Sequence, residues 1–290
     1  MQQKIIHTNG IELYTEHFGN PSNPAILLIM GAQASLVWWE EAFCNYLADE
    51  GRFVIRYDNR DVGRSTFYEP GKPDYTFEHM ADDAIEILNA YGIQRAHFVG
   101  MSMGGMLTQM IALRHPERVD SVTLISASNF APDLPPVSDK VMEFFLTIGE
   151  VDWADEKAVV ELAVAKAKVL SGWKYPIDEE RVALLSLQEM RRGKNLASMS
   201  NHALVAGGEG YLTRTSEIAV PALIIHGSED PLVPYAHGAA LAAAIPNSTI
   251  LPLEGTGHEL PFGDWDEVVR AIVRHTSYEN KCTCSKQSGL

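Results

Sequence analysis

The chain has 290 residues, 46% of them hydrophobic, enough to bury the core of one large domain or of a core with an insertion. A formal net charge of −15 argues against a nucleic-acid partner, since a phosphate-tracking surface is basic. No run approaches a membrane span and Met1 to His7 hold no apolar stretch of signal length, so the expectation is a soluble, cytoplasmic protein.

Ile5 to Thr8 and Ile11 to His17 are strand-like runs around Asn9-Gly10, a hairpin dipeptide. Ala25 to Ile29 is apolar throughout, as in a strand covered on both faces, and Met30 to Ser35 follows as a small-residue loop. Trp39, Phe43 and Leu47 share one helical face, with Gly51 as the stop. Cys44 lies in that pattern and reads as a small buried apolar residue. Phe53 to Tyr57 predicts the next strand, which runs into a charged turn, Asp58 to Ser65. Thr76 caps a helix that buries Ala81, Ala84, Leu88 and Tyr91 and closes at Gly92. Ala96 to Val99 leads into Gly100-Met101-Ser102-Met103-Gly104, then a helix to Arg114, and Ser121 to Ser126 is a further strand.

Here the strand–helix rhythm breaks. The next clear strand, Ala222 to Ile225, comes about a hundred residues later, more than one crossover needs. Residues 129–219 are therefore read as an insert between core segments 1–128 and 220–277. Clustered prolines at Pro132, Pro135 and Pro136 mark its entrance, and Ala206 to Gly210 a flexible exit. Three apolar stripes make the insert helical: Val141, Phe144, Phe145 and Ile148; Val160, Ala163, Ala167 and Leu170; Val182, Leu185 and Met190. An insert after the sixth strand lies above the carboxyl ends of the sheet, where ligands bind, so it is read as a cap over a pocket. Two strand–loop–helix units close the core, with helices over Tyr235 to Ala244 and Trp265 to His275. Residues 278–290, with Cys282 and Cys284, are polar and patternless and are set aside as a tail.

Gly-x-Ser-x-Gly between a strand and a helix is a nucleophile turn: the serine backbone is strained, and the glycines make room for the chain that passes close by. Serine needs a base, and the base needs an orienting acid. His258 follows a late strand in the Gly-rich loop Gly255-Thr256-Gly257, and Asp230 follows the strand before it, with Glu229 as the rival carboxylate. His226 and His202 are the other histidines weighed, one internal to a strand and one in the insert. The order Ser102, Asp230, His258 is that of serine–acid–histidine enzymes built on this turn. Two backbone donors must face the developing oxyanion. The amides of Met103 and Ala32 are assigned, with Gly31 as the alternative. No His-Glu-x-x-His or similar spacing points to a metal.

These motifs resemble the α/β-hydrolases. Gly100 to Gly104, Gly227-Ser228-Glu229-Asp230 and Gly257-His258 match the nucleophile, acid and histidine motifs, and Asp58-x-Arg60-x-x-Gly63-x-Ser65 resembles a turn that is mainly structural there. The resemblance covers most of 1–128 and 220–276. Within the family the chain is similar to the aclacinomycin methylesterase type, on Met30-Gly31 with Ser35 and on Arg56-Tyr57-Asp58-x-Arg60-Asp61-x-Gly63-Arg64-Ser65. Met30 is a departure, because many members carry histidine before that glycine. The resemblance implies an α/β fold with a mostly parallel eight-stranded sheet, helices on both faces and a helical cap after strand six. It also implies hydrolysis of small, largely apolar carboxylic esters through an acyl-enzyme, without metal or organic cofactor.

A malleable pocket is expected from Met30 and the methionines of the nucleophile segment, with Phe144, Phe145, Trp153 and Trp173 from the cap. Perhydrolysis, lactone hydrolysis and carbon–carbon bond hydrolysis use similar triads. A non-catalytic small-ligand receptor on the same fold is the alternative from another class. Ser102 stands where the related dehalogenases and epoxide hydrolases use aspartate. Oligomeric state is not legible.

Overall fold

The computed structural model describes residues 1–148 and 151–277, so the 278–290 segment and its Cys282 and Cys284 lie outside the described residues. Eight strands form one sheet in the order β1-β2-β4-β3-β5-β6-β7-β8. β1 (Gln2–Thr8) and β2 (Ile11–Phe18) are the antiparallel edge hairpin, and β2 also runs antiparallel to β4 (Phe53–Tyr57). β3 (Ala25–Ile29), β5 (Ala96–Met101), β6 (Val119–Ile125), β7 (Ala222–Gly227) and β8 (Ser248–Leu253) continue the sheet in parallel with β4. The hairpin and the mostly parallel sheet are as expected. β6 begins two residues earlier than its apolar run, at Val119.

Period-two geometry explains the continuous apolar runs. Along β3, Ala25, Leu27 and Ile29 join one core cluster, while Ile26 and Leu28 join the other. The first cluster packs under α2 (Phe77–Tyr91), α3 (Met103–Arg114) and α8 (Tyr235–Ala244). The second packs under α1 (Glu41–Asp49) and α9 (Trp265–His275). Cys44 is fully buried, and burial pushes its thiol up to about 12. α3 is buried at every position from Met103 to Ala112, a central helix rather than a surface one.

Between β6 and β7 the chain forms α4 (Asp139–Phe145), α5 (Glu156–Leu170), α6 (Glu179–Arg192), a 3-10 segment (Leu196–Ala203) and α7 (Glu209–Leu212). Two expectations for this insert are corrected. α6 is helical, but its fully buried residues are Ser186 and Glu189, whereas Val182, Leu185 and Met190 are only half-buried. The exit at Ala206 to Gly210 is tied to the core: Phe77 N–H donates to Ala206 O at 3.1 Å and Gly208 N–H to Glu78 Oε1 at 2.9 Å. Its glycines serve left-handed backbone, with φ of 95° at Gly207 and 88° at Gly208. No helix among the described residues is long and apolar enough to cross a membrane.

Candidate active site

Ser102 sits between β5 and α3 with φ 55° and ψ −120°. Such backbone costs a non-glycine residue on the order of 1–3 kcal/mol and persists only where its surroundings enforce it. Ser102 N–H donates to Ile125 O at 2.9 Å, and Ser102 O accepts the amides of Gly105 and Met106 at 2.9 and 3.1 Å. A Cβ on Gly100 would lie 2.1 Å from Gly104 O, and one on Gly104 would lie 2.1 Å from Ile29 O. Both motif glycines are thus required by passing backbone.

Asp230 follows β7 and His258 follows β8, at the carboxyl ends of the parallel strands, where Ser102 follows β5. His258 Nδ1–H donates to Asp230 Oδ2 at 2.7 Å. The other carboxylate oxygen accepts the amides of Leu232 and Val233 at 2.9 and 2.7 Å, so the turn that follows holds the buried acid in place. A carboxylate only accepts, so the hydrogen sits on Nδ1 and Nε2 keeps its lone pair. Glu229 is exposed, and its amide, not its side chain, is engaged, with Thr256 O at 3.0 Å. His226 is internal: Nε2–H donates to Val233 O at 2.7 Å, Nδ1 lies against Gly238 without a partner among the described residues, and burial lowers its pKa. No hydrogen bond among the described residues joins Ser102 Oγ to His258. In unliganded sites such bonds are often long and tighten around substrate.

The loop after β3 lies against the serine. A Cβ on Gly31 would be 3.2 Å from Ser102 Cβ and 3.8 Å from its Oγ. The amides of Gly31, Ala32 and Met103 donate to no protein acceptor among the described residues. Met103 is the first residue of α3, where an amide has no intrahelical partner. Uncommitted amides therefore lie in the loop that packs against Ser102 and directly after Ser102 in the chain.

What the sequence did not reveal is how that loop is held. Gln33 N–H donates to His202 Nδ1 at 2.9 Å. Ser35 N–H and Trp38 Nε1–H donate to the two carboxylate oxygens of Glu189, at 2.6 and 2.9 Å. Leu36 N–H donates to Asp58 Oδ1 at 2.8 Å. Asp58 also accepts from Nη1 and Nη2 of Arg192 at 2.9 and 2.8 Å and from the Arg64 amide at 2.9 Å. The turn expected to be structural is thus the anchor of both the loop and the insert. Burial raises the pKa of Glu189 and lowers that of His202.

The insert also touches the acid and histidine loops. His258 N–H donates to Leu170 O at 2.8 Å, Gly172 N–H to Glu259 at 3.0 Å, and Ser138 N–H to Pro231 O at 2.9 Å. Among the expected pocket residues, Phe144 and Phe145 are half-buried with ring centroids 6.0 Å apart, and Trp153 is half-buried. Trp173 is 68% exposed, its ring over Gly255, and Met30 is packed in the cluster under α1 and α9. No three His, Cys, Asp or Glu side chains among the described residues converge as a metal site.

A family model described as the alpha/beta hydrolase fold matches residues 24–264. A curated relative, rhodomycin D methylesterase DauP of Streptomyces sp. (strain C5), is 30% identical over 95% of this chain and 98% of its own length. A putative carbamate hydrolase, RutD of Pseudomonas savastanoi pv. phaseolicola, is 30% identical over 81% of this chain and 86% of its own. Among solved structures, the enol-lactonase from Burkholderia xenovorans LB400 superposes with a TM-score of 0.74 at 24% identity, covering 95% of this chain and all (100%) of that one.

Proposed function

This chain belongs to the α/β-hydrolase fold family, and on that premise we propose that it is a serine hydrolase of carboxylic esters with a small alcohol group, such as methyl. The observation that carries the reading is the 2.7 Å hydrogen bond from His258 to a buried Asp230, at the same carboxyl end of the parallel strands as a strained serine. In this reading Ser102 Oγ attacks the ester carbonyl as His258 Nε2 takes its proton. Asp230 keeps the imidazole in the tautomer that can do so and stabilises the imidazolium. The amides of Met103 and Ala32, with Gly31 adjacent, receive the oxyanion. His258 then protonates the departing alcohol, and water attacks the acyl-enzyme by the same route in reverse. The insert acts as a cap that shapes the acyl and alcohol sites.

Hydrolysis of short nitrophenyl esters and of methyl esters, with a fluorophosphonate to titrate active serines, tests the reading. Ser102→Ala is expected to lose about 10⁴-fold or more in kcat. Asp230→Asn is expected to lose most activity and Glu229→Gln very little. Full activity in Ser102→Ala overturns the reading, and loss confined to Glu229→Gln overturns the choice of acid. Ligand binding without turnover in the wild type would make the chain a receptor.

A further inference from the structure

From the hydrogen bonds around the loop after β3, we infer that His202 of the insert is a positioning residue that sets the oxyanion donor at Ala32 by holding the next amide, that of Gln33. The inference rests on the reading of Ala32 as an oxyanion donor.

An oxyanion donor works because it is already aimed when charge develops. Ala32 is exposed, and Gln33 has a left-handed φ of 60°, so nothing in the local chain favours the conformation that aims the loop. What holds it comes from far away in sequence. His202 is 4% exposed, and its Nε2–H donates to Arg60 O at 2.7 Å. A carbonyl oxygen can only accept, so the hydrogen is on Nε2 and Nδ1 is left with a lone pair. That lone pair is what the Gln33 amide meets at 2.9 Å.

The far end of the ring is equally fixed. Arg60 is held by Asp83 through bonds of 2.7 and 2.8 Å. The 3-10 segment that carries His202 is held to Asp61 by Ser198 Oγ at 2.8 Å and Asn201 Nδ2 at 3.1 Å. The imidazole is therefore a rigid spacer between the turn after β4 and the oxyanion loop. A lysine or a hydroxyl could not replace it, because one end must donate and the other accept at opposite sides of one flat group. Buried hydrogen-bonded groups of this kind define one arrangement where apolar packing tolerates several.

Two amide variants separate the ends of the ring. Asparagine sets its oxygen the same number of bonds from the backbone as Nδ1, so His202→Asn can keep the Gln33 bond. Glutamine reaches as far as Nε2, so His202→Gln can keep the Arg60 bond and lose the other. Each variant forfeits one buried bond, so a purely structural role predicts equal effects. The positioning role predicts a split. With nitrophenyl acetate and active-serine titration, His202→Gln and His202→Ala should lose about 10- to 100-fold in kcat with KM nearly unchanged, because the contact they misplace is made in the transition state. His202→Asn should stay within about 3-fold of wild type, a partial rescue. Equal losses in the Asn and Gln variants, or losses confined to KM, would overturn the inference while leaving a Ser102-dependent esterase intact. No ester turnover in the wild type, or full turnover in Ser102→Ala, would remove the inference and the reading beneath it together.

Discussion

Two parts of the insert, on either side of α5, meet the core by different physics. The first, α4 and its flanks, presents apolar residues to solvent: Phe130 at 64%, Met142 at 52% and Leu146 at 81% exposure. Its ties are few, chiefly Ser138 N–H to Pro231 O at 2.9 Å and His237 Nε2–H to Pro135 O at 2.9 Å. The second, α6 and the 3-10 segment, is fastened by buried directional groups: Arg192 on Asp58, Glu189 on Ser35 and Trp38, His202 on Gln33, and Asn201 on Asp61. Apolar contact tolerates sliding, whereas a bidentate ion pair does not. The contrast teaches that one part is mechanically continuous with the loop after β3, whereas the other is held by few directional bonds.

The sharpest way to break this contrast is to remove its strongest fastening. Arg192→Met leaves the fully buried Asp58 carboxylate without its cation and is expected to cost about 3–5 kcal/mol in urea unfolding. It should also slow ester turnover, because Asp58 holds Leu36 in the same loop. A cost under about 1 kcal/mol would mean that the pair is no more than a surface salt bridge. Glu189→Gln comes next, at about 1–3 kcal/mol. Its amide nitrogen would face one of two N–H donors, Ser35 or Trp38, and leave it unsatisfied.

Acid should loosen the fastened part too. Burial holds His202 neutral below its ordinary value of 6.5, so as pH falls beneath that value the unfolded chain binds a proton that the folded chain refuses. Stability is therefore fully present above 6.5 and is lost as pH falls toward the lower folded pKa. His97, pulled down to about 4 by burial, and His226 and His275 act in the same direction, so the diagnostic is a difference. The stability gap between wild type and His202→Asn should narrow from pH 7.5 to about pH 5.5. A gap that stays constant would mean that His202 titrates as an exposed histidine does.

The same contrast marks what could be read in the sequence. β3 was legible because it is covered on both faces and so is apolar without interruption, and β4, β5 and β7 because a single buried Arg56, His97 or His226 breaks an otherwise mainly apolar run. Ser102 was legible because close backbone passage admits only glycine at 100 and 104, and that leaves a motif. Asp230 could be placed because it lies one loop beyond such a strand, β7, and His258 because it follows the next strand, β8, in a Gly-rich loop. The fastened part was not legible. Glu189 and Ser186 face inward while Leu184 is 67% exposed, against any hydrophobic stripe, since a carboxylate given two donors can be buried. Glu189 and Ser35 lie 154 residues apart, and no local pattern records a bond across that distance. The paired glycines at 207 and 208 read as looseness because sequence does not separate freedom from a left-handed requirement.

The smallest expected effect sharpens the functional side of the comparison. Leu146 and Leu204 are both exposed leucines, one beside α4 and one at the end of the 3-10 segment. Changing either to serine removes little buried area, so each should shift unfolding by no more than about 0.5 kcal/mol. If the loosely held part accommodates substrate, Leu146→Ser raises KM a few-fold for long acyl chains and leaves acetate unchanged, while Leu204→Ser alters neither. Both side chains are exposed, at 81% and 56%, but the segments that carry them are attached differently. An equal change in both variants would assign the effect to surface hydrophobicity alone, and no change in Leu146→Ser would move substrate selection away from α4 and its flanks.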